Sequence, residues 1–202
     1  AYEKNVRDIV EDVKEHGDEA LFAYTWRFDR VRTDEKNLAV TKEEIDEAYA
    51  AVDPSLVEVI KKALTNIRSF HEKQKRNSWF DTDAEGTILG QRITPLKRVG
   101  VYVPGGKAVY PSSVLMNIVP ARVAGVDEIV MTTPPGKDGK VNPATLVAAM
   151  EAGADRVFKV GGAQAIAALA YGTKSIPRAD KIVGPGNIYV ALAKKAVYGH
   201  VS

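Results

Sequence analysis

Between residue 3 and about residue 80, apolar side chains recur at helical spacing. Val6, Ile9, Val10 and Val13 share one face of a segment, and Leu21, Phe22, Tyr24 and Phe28 follow beyond a break at Gly17. Thr41 stands three residues before Glu44, the spacing of a capping box, in which each side chain satisfies a backbone N–H that the first helical turn leaves free. A third helix is predicted to open there. A fourth is predicted after Asp53-Pro54, carrying Leu56, Val57, Ile60, Leu64, Ile67 and Phe70 ahead of a polar stretch at 71–78.

The period changes near Gly86. The string GTILGQRITPL alternates as a strand or hairpin does, and from Arg98 onward short β-rich apolar runs, 99–103, 128–132, 156–160 and 181–183, alternate with helix-length segments at 113–124, 143–152, 163–171 and 187–198. Strands separated each time by a helix predict βαβ crossovers, hence an α/β fold whose parallel sheet is covered by helices on both faces. The chain divides on this pattern into a helical region, residues 1–85, and an α/β unit, residues 86–202. Pro120 removes one N–H from the first of the later helices, predicting a kink or two short pieces.

Such sheets take ligands at the carboxyl ends of their strands. Three of the predicted strand ends run straight into glycines, in Tyr102-Val103-Pro104-Gly105-Gly106, Val160-Gly161-Gly162-Ala163-Gln164 and Val183-Gly184-Pro185-Gly186-Asn187. Glycine lets backbone approach a ligand closely, and a helix starting just beyond offers free N–H groups and a positive dipole end to a phosphate. Ordinary tight turns also need glycine, so one such end alone favours a plain turn and the three together favour a binding edge. Neither G-x-G-x-x-G nor G-x-x-x-x-G-K-[ST] occurs. Gln164, near a helix start, and Asn187, at a predicted N-cap, are open between capping and reaching a ligand's amide and hydroxyls. Tyr102 is open between packing and recognition.

Composition narrows the chemistry. Lys plus Arg number 28 against 26 Asp plus Glu, which gives no reason to expect nucleic acid as a partner. No apolar stretch approaches the roughly 20 residues of a membrane span, and the N-terminal stretch lacks a signal peptide's apolar middle, so a cytoplasmic protein is expected with no membrane partner. Cysteine is absent, which excludes disulfides, thiolate zinc sites and a cysteine nucleophile. His16, His71 and His200 lack zinc-ligand spacing and read as solvated positions. Ser112-Ser113 reads as an N-cap, and the pairs Lys61-Lys62 and Lys194-Lys195 as solvated helix faces. No residue stands out as catalytic or metal-ligating.

The strings RVGVYVPGGKAVYPSSVLMNIVPARVAG and VFKVGGAQAIAALAYGT, followed by DKIVGPGN, together with HGDEAL, NIRSFHEKQ and QRITPLKRVG, resemble histidinol dehydrogenase in order and separation across essentially the whole chain. The resemblance implies an NAD-dependent, zinc-dependent oxidoreductase that converts L-histidinol to L-histidine in two steps through the aldehyde, closing histidine biosynthesis. It also implies a homodimer and a Rossmann-like fold similar to that of aldehyde dehydrogenases, of which this chain would hold the N-terminal helices and most of one unit. Carried over by position, the family's NAD contacts fall on Tyr102, Gln164 and Asn187. The chain stops before the segments that carry the family's zinc ligands and catalytic Glu-His pair, so it is expected to supply the NAD-contacting surface and to be inactive alone. The competing expectation is a non-catalytic Rossmann-like module with weak or no nucleotide binding.

Overall fold

The computed structural model describes residues 2–106 and 110–202. Helices α1 (Tyr2–His16) and α2 (Asp18–Asp29) are separated only by Gly17, whose φ of 55° turns the chain between them. Helix α3 (Lys42–Ala51) opens with both bonds of the predicted capping box, Glu44 N–H to Thr41 Oγ1 at 3.2 Å and Thr41 N–H to Glu44 Oε2 at 2.9 Å. Helix α4 (Pro54–Glu72) starts with Pro at N1 behind Asp53, which accepts from Ser55 N–H.

A two-stranded antiparallel hairpin follows, β1 (Trp79–Thr82) against β2 (Ile88–Gln91). The sequence pattern located the second strand only. Every residue of both strands is exposed.

The α/β unit comprises β3 (Arg98–Tyr102), α5 (Pro111–Val123), β4 (Glu128–Thr133), α6 (Pro143–Ala152), β5 (Arg156–Lys159), α7 (Gly162–Tyr171), β6 (Lys181–Val183) and α8 (Ile188–Val197). The four strands pair in parallel in the order β5-β4-β3-β6. Helix α5 runs unbroken past Pro120 in one element. It begins two residues earlier than predicted, at Pro111, so Ser112 and Ser113 lie inside its first turn and Tyr110 holds the cap position. Proline's fixed φ suits N1, which draws the helix start forward.

Alternate residues of each strand face opposite cores. Val130 belongs to one, with Val10, Leu21, Ile166 and Leu169; Ile129 and Met131 belong to the other, with Ile118, Leu146 and Val147. The N-terminal helices divide between the two faces, α1 and α2 packing on α7 and α8, α3 and α4 packing on α5 and α6. The segment joining α2 to α3 crosses along the outer edge of β5, where Val40 N–H donates to Val157 O at 2.9 Å and Lys159 N–H to Leu38 O at 2.8 Å. That crossing satisfies the backbone groups of an edge strand. Among the described residues no helix is long and apolar enough to cross a membrane.

Candidate functional site

The two rims of the sheet are built differently. At the amino ends of the strands, Glu128 accepts from Arg98 and from Arg156, and Asp180 accepts Arg98 N–H at 2.9 Å. Burial alone would push the Glu128 carboxyl up, but the two guanidiniums outweigh it and hold the carboxyl below its ordinary value. That rim is closed by its own charges.

At the carboxyl ends lies a cleft of about 720 Å³, within the roughly 300–1,000 Å³ of small-molecule sites. One wall comes from the strand ends and helix starts: Tyr102 and Gly105 after β3, Pro134 after β4, Gln164 on α7 and Asn187 before α8. The other comes from the N-terminal helices, with Asp8 on α1 and Tyr24, Phe28 and Asp29 on α2. The three residues singled out from the sequence thus line one hollow.

Each is held differently. Tyr102 is only 3% exposed and its hydroxyl accepts the Gly162 N–H at 3.1 Å, fastening the end of β3 to the start of α7. Burial pushes its phenol up, and the nearby Asp29 charge adds to the same direction. Gln164 is 1% exposed, yet its Oε1 is buried without a hydrogen-bond partner. A buried amide oxygen left so forfeits on the order of 1–3 kcal/mol, which makes it an exception that calls for a donor. Asn187 is exposed and caps α8, its Oδ1 accepting from Tyr189 N–H at 3.0 Å and Val190 N–H at 3.2 Å. Its carboxamide NH₂ is the part that remains for a ligand.

The helix starts also differ. Asn187 occupies the first donors of α8, whereas Gly161 brings no side-chain cap to α7, where the Tyr102 hydroxyl takes the Gly162 N–H and the first turn, Gly162 to Gln164, lines the cleft. The partial positive charge of that N-terminus favours an anionic group. The glycines serve packing: a Cβ on Gly105 or Gly161 would stand 2.5 or 2.6 Å from side-chain atoms of Pro134. They bring three strand ends together instead of clearing space for a ligand.

Sequence reasoning missed the opposite wall. Tyr24 donates its hydroxyl to Asp12 Oδ2 at 2.8 Å, and burial followed by that bond pushes its phenol up to about 12. Its ring stacks on Phe28 with centroids 5.7 Å apart and planes 12° from parallel. Asp29 has one buried carboxylate oxygen without a partner, and burial pushes its carboxyl up. Lys194 is corrected as well: it is half-buried, its ammonium donates to Gly184 O, and burial lowers its pKa. It ties α8 to the turn after β6.

A family model described as histidinol dehydrogenase matches residues 1–202. The chain belongs to the histidinol dehydrogenase family. It is 59% identical to a histidinol dehydrogenase of Heliobacterium mobile over 196 residues, covering 97% of this chain and 46% of that protein. It is 58% identical to the Bacillus subtilis (strain 168) histidinol dehydrogenase over 198 residues, with 98% and 46% covered. The crystal structure of histidinol dehydrogenase from Elizabethkingia anophelis superposes with a TM-score of 0.94 at 38% identity, covering 100% of this chain and 46% of that one. The chain therefore spans about half the length of the relatives it matches.

Two groups implied by the family meet different fits. The cleft suits a dinucleotide in volume, in the helix N-terminus that lines it and in the unpartnered Gln164 amide oxygen. For zinc, no group of three or more His, Cys, Asp or Glu among the described residues is placed to hold a metal ion. His16 instead bonds Asp12 Oδ1 at 2.7 Å, and His71 bonds Gln74 Oε1 at 2.7 Å.

Proposed function

We propose that this chain is the cofactor-facing half of a histidinol dehydrogenase, a cytoplasmic homodimeric enzyme that oxidises L-histidinol to L-histidine with NAD and zinc. The observation that carries this reading is the cleft, where Tyr102, Gln164 and Asn187 face a wall from α1 and α2 across a hollow of dinucleotide size. In this reading the pyrophosphate rests against the first turn of α7, beyond the Gly162 N–H that Tyr102 holds. Gln164 gains a donor for its buried oxygen, and the Asn187 NH₂ reaches the ligand while its oxygen keeps the cap. NAD, when bound, supplies the hydride acceptor. Tyr102 acts by position, locking the strand end to the helix that carries Gln164.

We place proton transfer and zinc chemistry on residues other than the described ones, among which no group of three or more His, Cys, Asp or Glu could hold a metal ion. Hydride leaves an alcohol carbon only when the hydroxyl proton is taken up, and acid–base help is worth about 10²–10⁴ in rate. The chain alone should therefore bind NAD without oxidising histidinol.

The test is titration of NAD into the purified chain, followed by the same titration with Gln164→Ala, and an assay for NADH with L-histidinol and zinc. Saturable binding that Gln164→Ala weakens, without turnover, supports the proposal. No response at millimolar NAD would leave a non-catalytic structural module, and turnover by the lone chain would place an acid–base pair within it.

A further inference from the structure

We propose that Asp29 is a specificity residue that accepts a ribose hydroxyl of the adenosine half of the dinucleotide and excludes its 2′-phosphorylated form. The inference rests on the cofactor reading of the cleft.

Asp29 is the last residue of α2, and its place is fixed by Arg30, which adopts a left-handed φ of 58° and returns its N–H to Trp26 O at 3.2 Å. The setting offers a carboxylate little. The carboxyl end of a helix carries partial negative charge, and Asp29 forms no ion pair among the described residues. One of its oxygens is buried without a hydrogen bond. A buried oxygen left without a donor calls for one, and Asp29 lines the cleft where a ligand could bring it.

An ionised carboxylate only accepts hydrogen bonds. Phosphate oxygens also only accept, so in a dinucleotide Asp29 can be matched by ribose hydroxyls or by the amino groups of the bases. The residue before it decides between these. Phe28 is 51% exposed and stacks with Tyr24, giving the cleft an aromatic surface for a planar base. Phe28 and Asp29 both line the cleft, so a purine against that surface brings its ribose, one bond from the base, within the same hollow as the carboxylate. The charged side chains lining the cleft are Asp8, Asp29 and Arg27, and the Arg27 guanidinium already lies 5.5 Å from the Phe28 ring centroid. This acidic excess accepts a hydroxyl and repels a 2′-phosphate, which is the role a carboxylate serves near the ribose of NAD-binding sheets.

The experiment is calorimetric titration of NAD and of NADP into the chain and into Asp29→Asn and Asp29→Ala, with far-UV circular dichroism to show that each variant is folded. The unaltered chain should bind NAD at least tenfold more tightly than NADP. Both substitutions should weaken NAD about tenfold and bring the two nucleotides within about threefold of each other. Gln164→Ala, in contrast, should weaken both by the same factor. If the unaltered chain binds neither nucleotide, the cofactor reading and this inference fail together. If it binds NAD and the preference over NADP survives in folded Asp29→Asn and Asp29→Ala, this inference alone is overturned.

Discussion

Asp29 carries a stability consequence that can be read without any ligand. Desolvation raises its carboxyl above the ordinary value of 3.8, so between that value and the raised one the folded chain binds more protons than the unfolded chain. Stability then falls as pH rises through the window, because the folded state must give up a proton it holds more tightly. Asn at the same position has no such proton. We expect the melting temperature of Asp29→Asn to match that of the parent near about pH 4 and to exceed it near about pH 7, the difference opening across the window. Thermal unfolding at a series of pH values checks this, and a parent that gains stability relative to Asp29→Asn as pH rises would contradict it. Asp29 would then be paired in solution. The expected outcome would place the residue among those whose cost to the fold is offset by a ligand. None of this was legible in the string Phe28-Asp29-Arg30, where an acid between an aromatic residue and an arginine looks like any exposed helix end.

At the scale of elements, local signals were legible where they depend on neighbours in sequence. The Thr41–Glu44 box and the Asp53-Pro54 start formed as read, because capping is decided within one turn. The β1 strand escaped notice because Trp79-Phe80 and Asp81-Thr82 run in like pairs without alternating, and Lys194 was read as solvated because helical spacing cannot show that its ammonium meets the turn ten residues earlier. Asn187 was open between two roles, and the structure gives its oxygen to the cap. That division is separable by substitution. Asn187→Asp keeps an oxygen for Tyr189 and Val190 N–H and adds charge that the helix start favours, so stability should stay within about 0.5 kcal/mol or rise. It also replaces the NH₂ by an acceptor, so NAD affinity should fall. Asn187→Ala should lose both, at a cost of about 1 kcal/mol in unfolding free energy. Urea unfolding and NAD titration of the two variants check this; equal affinity in the parent and Asn187→Asp would confine the residue to capping.

Across the whole molecule, the sheet separates two cores, and the cleft is built on only one of them. The alternation of strands and helices was enough to give the sheet and its covered faces, since both follow from period and connection length. It was enough to bring Tyr102, Gln164 and Asn187 to one rim. It could not show that α1 and α2 close the cleft, because the pairing of Phe28 and Asp29 with residues more than seventy positions away depends on which face each N-terminal helix chooses. That choice gives the two cores different functional weight. Leu21 on α2 is fully buried in the core shared with α7, and Leu146 on α6 is 2% exposed in the core shared with α5. Truncating either to Ala removes the same atoms and leaves a cavity, at about 2–5 kcal/mol. The stability losses should therefore be of similar size. The effects on the cleft should not be, because α2 carries Tyr24, Phe28 and Asp29 into its wall whereas α6 contributes no residue to it. With both variants shown to be folded by circular dichroism without denaturant, NAD affinity should drop in Leu21→Ala and stay within about twofold of the parent in Leu146→Ala, since Leu146 packs in the core on the other face of the sheet and shares no partner with the cleft wall. Equal losses of affinity in the two would mean that the sheet transmits strain between the cores and that the cleft is a property of the whole fold instead of one face.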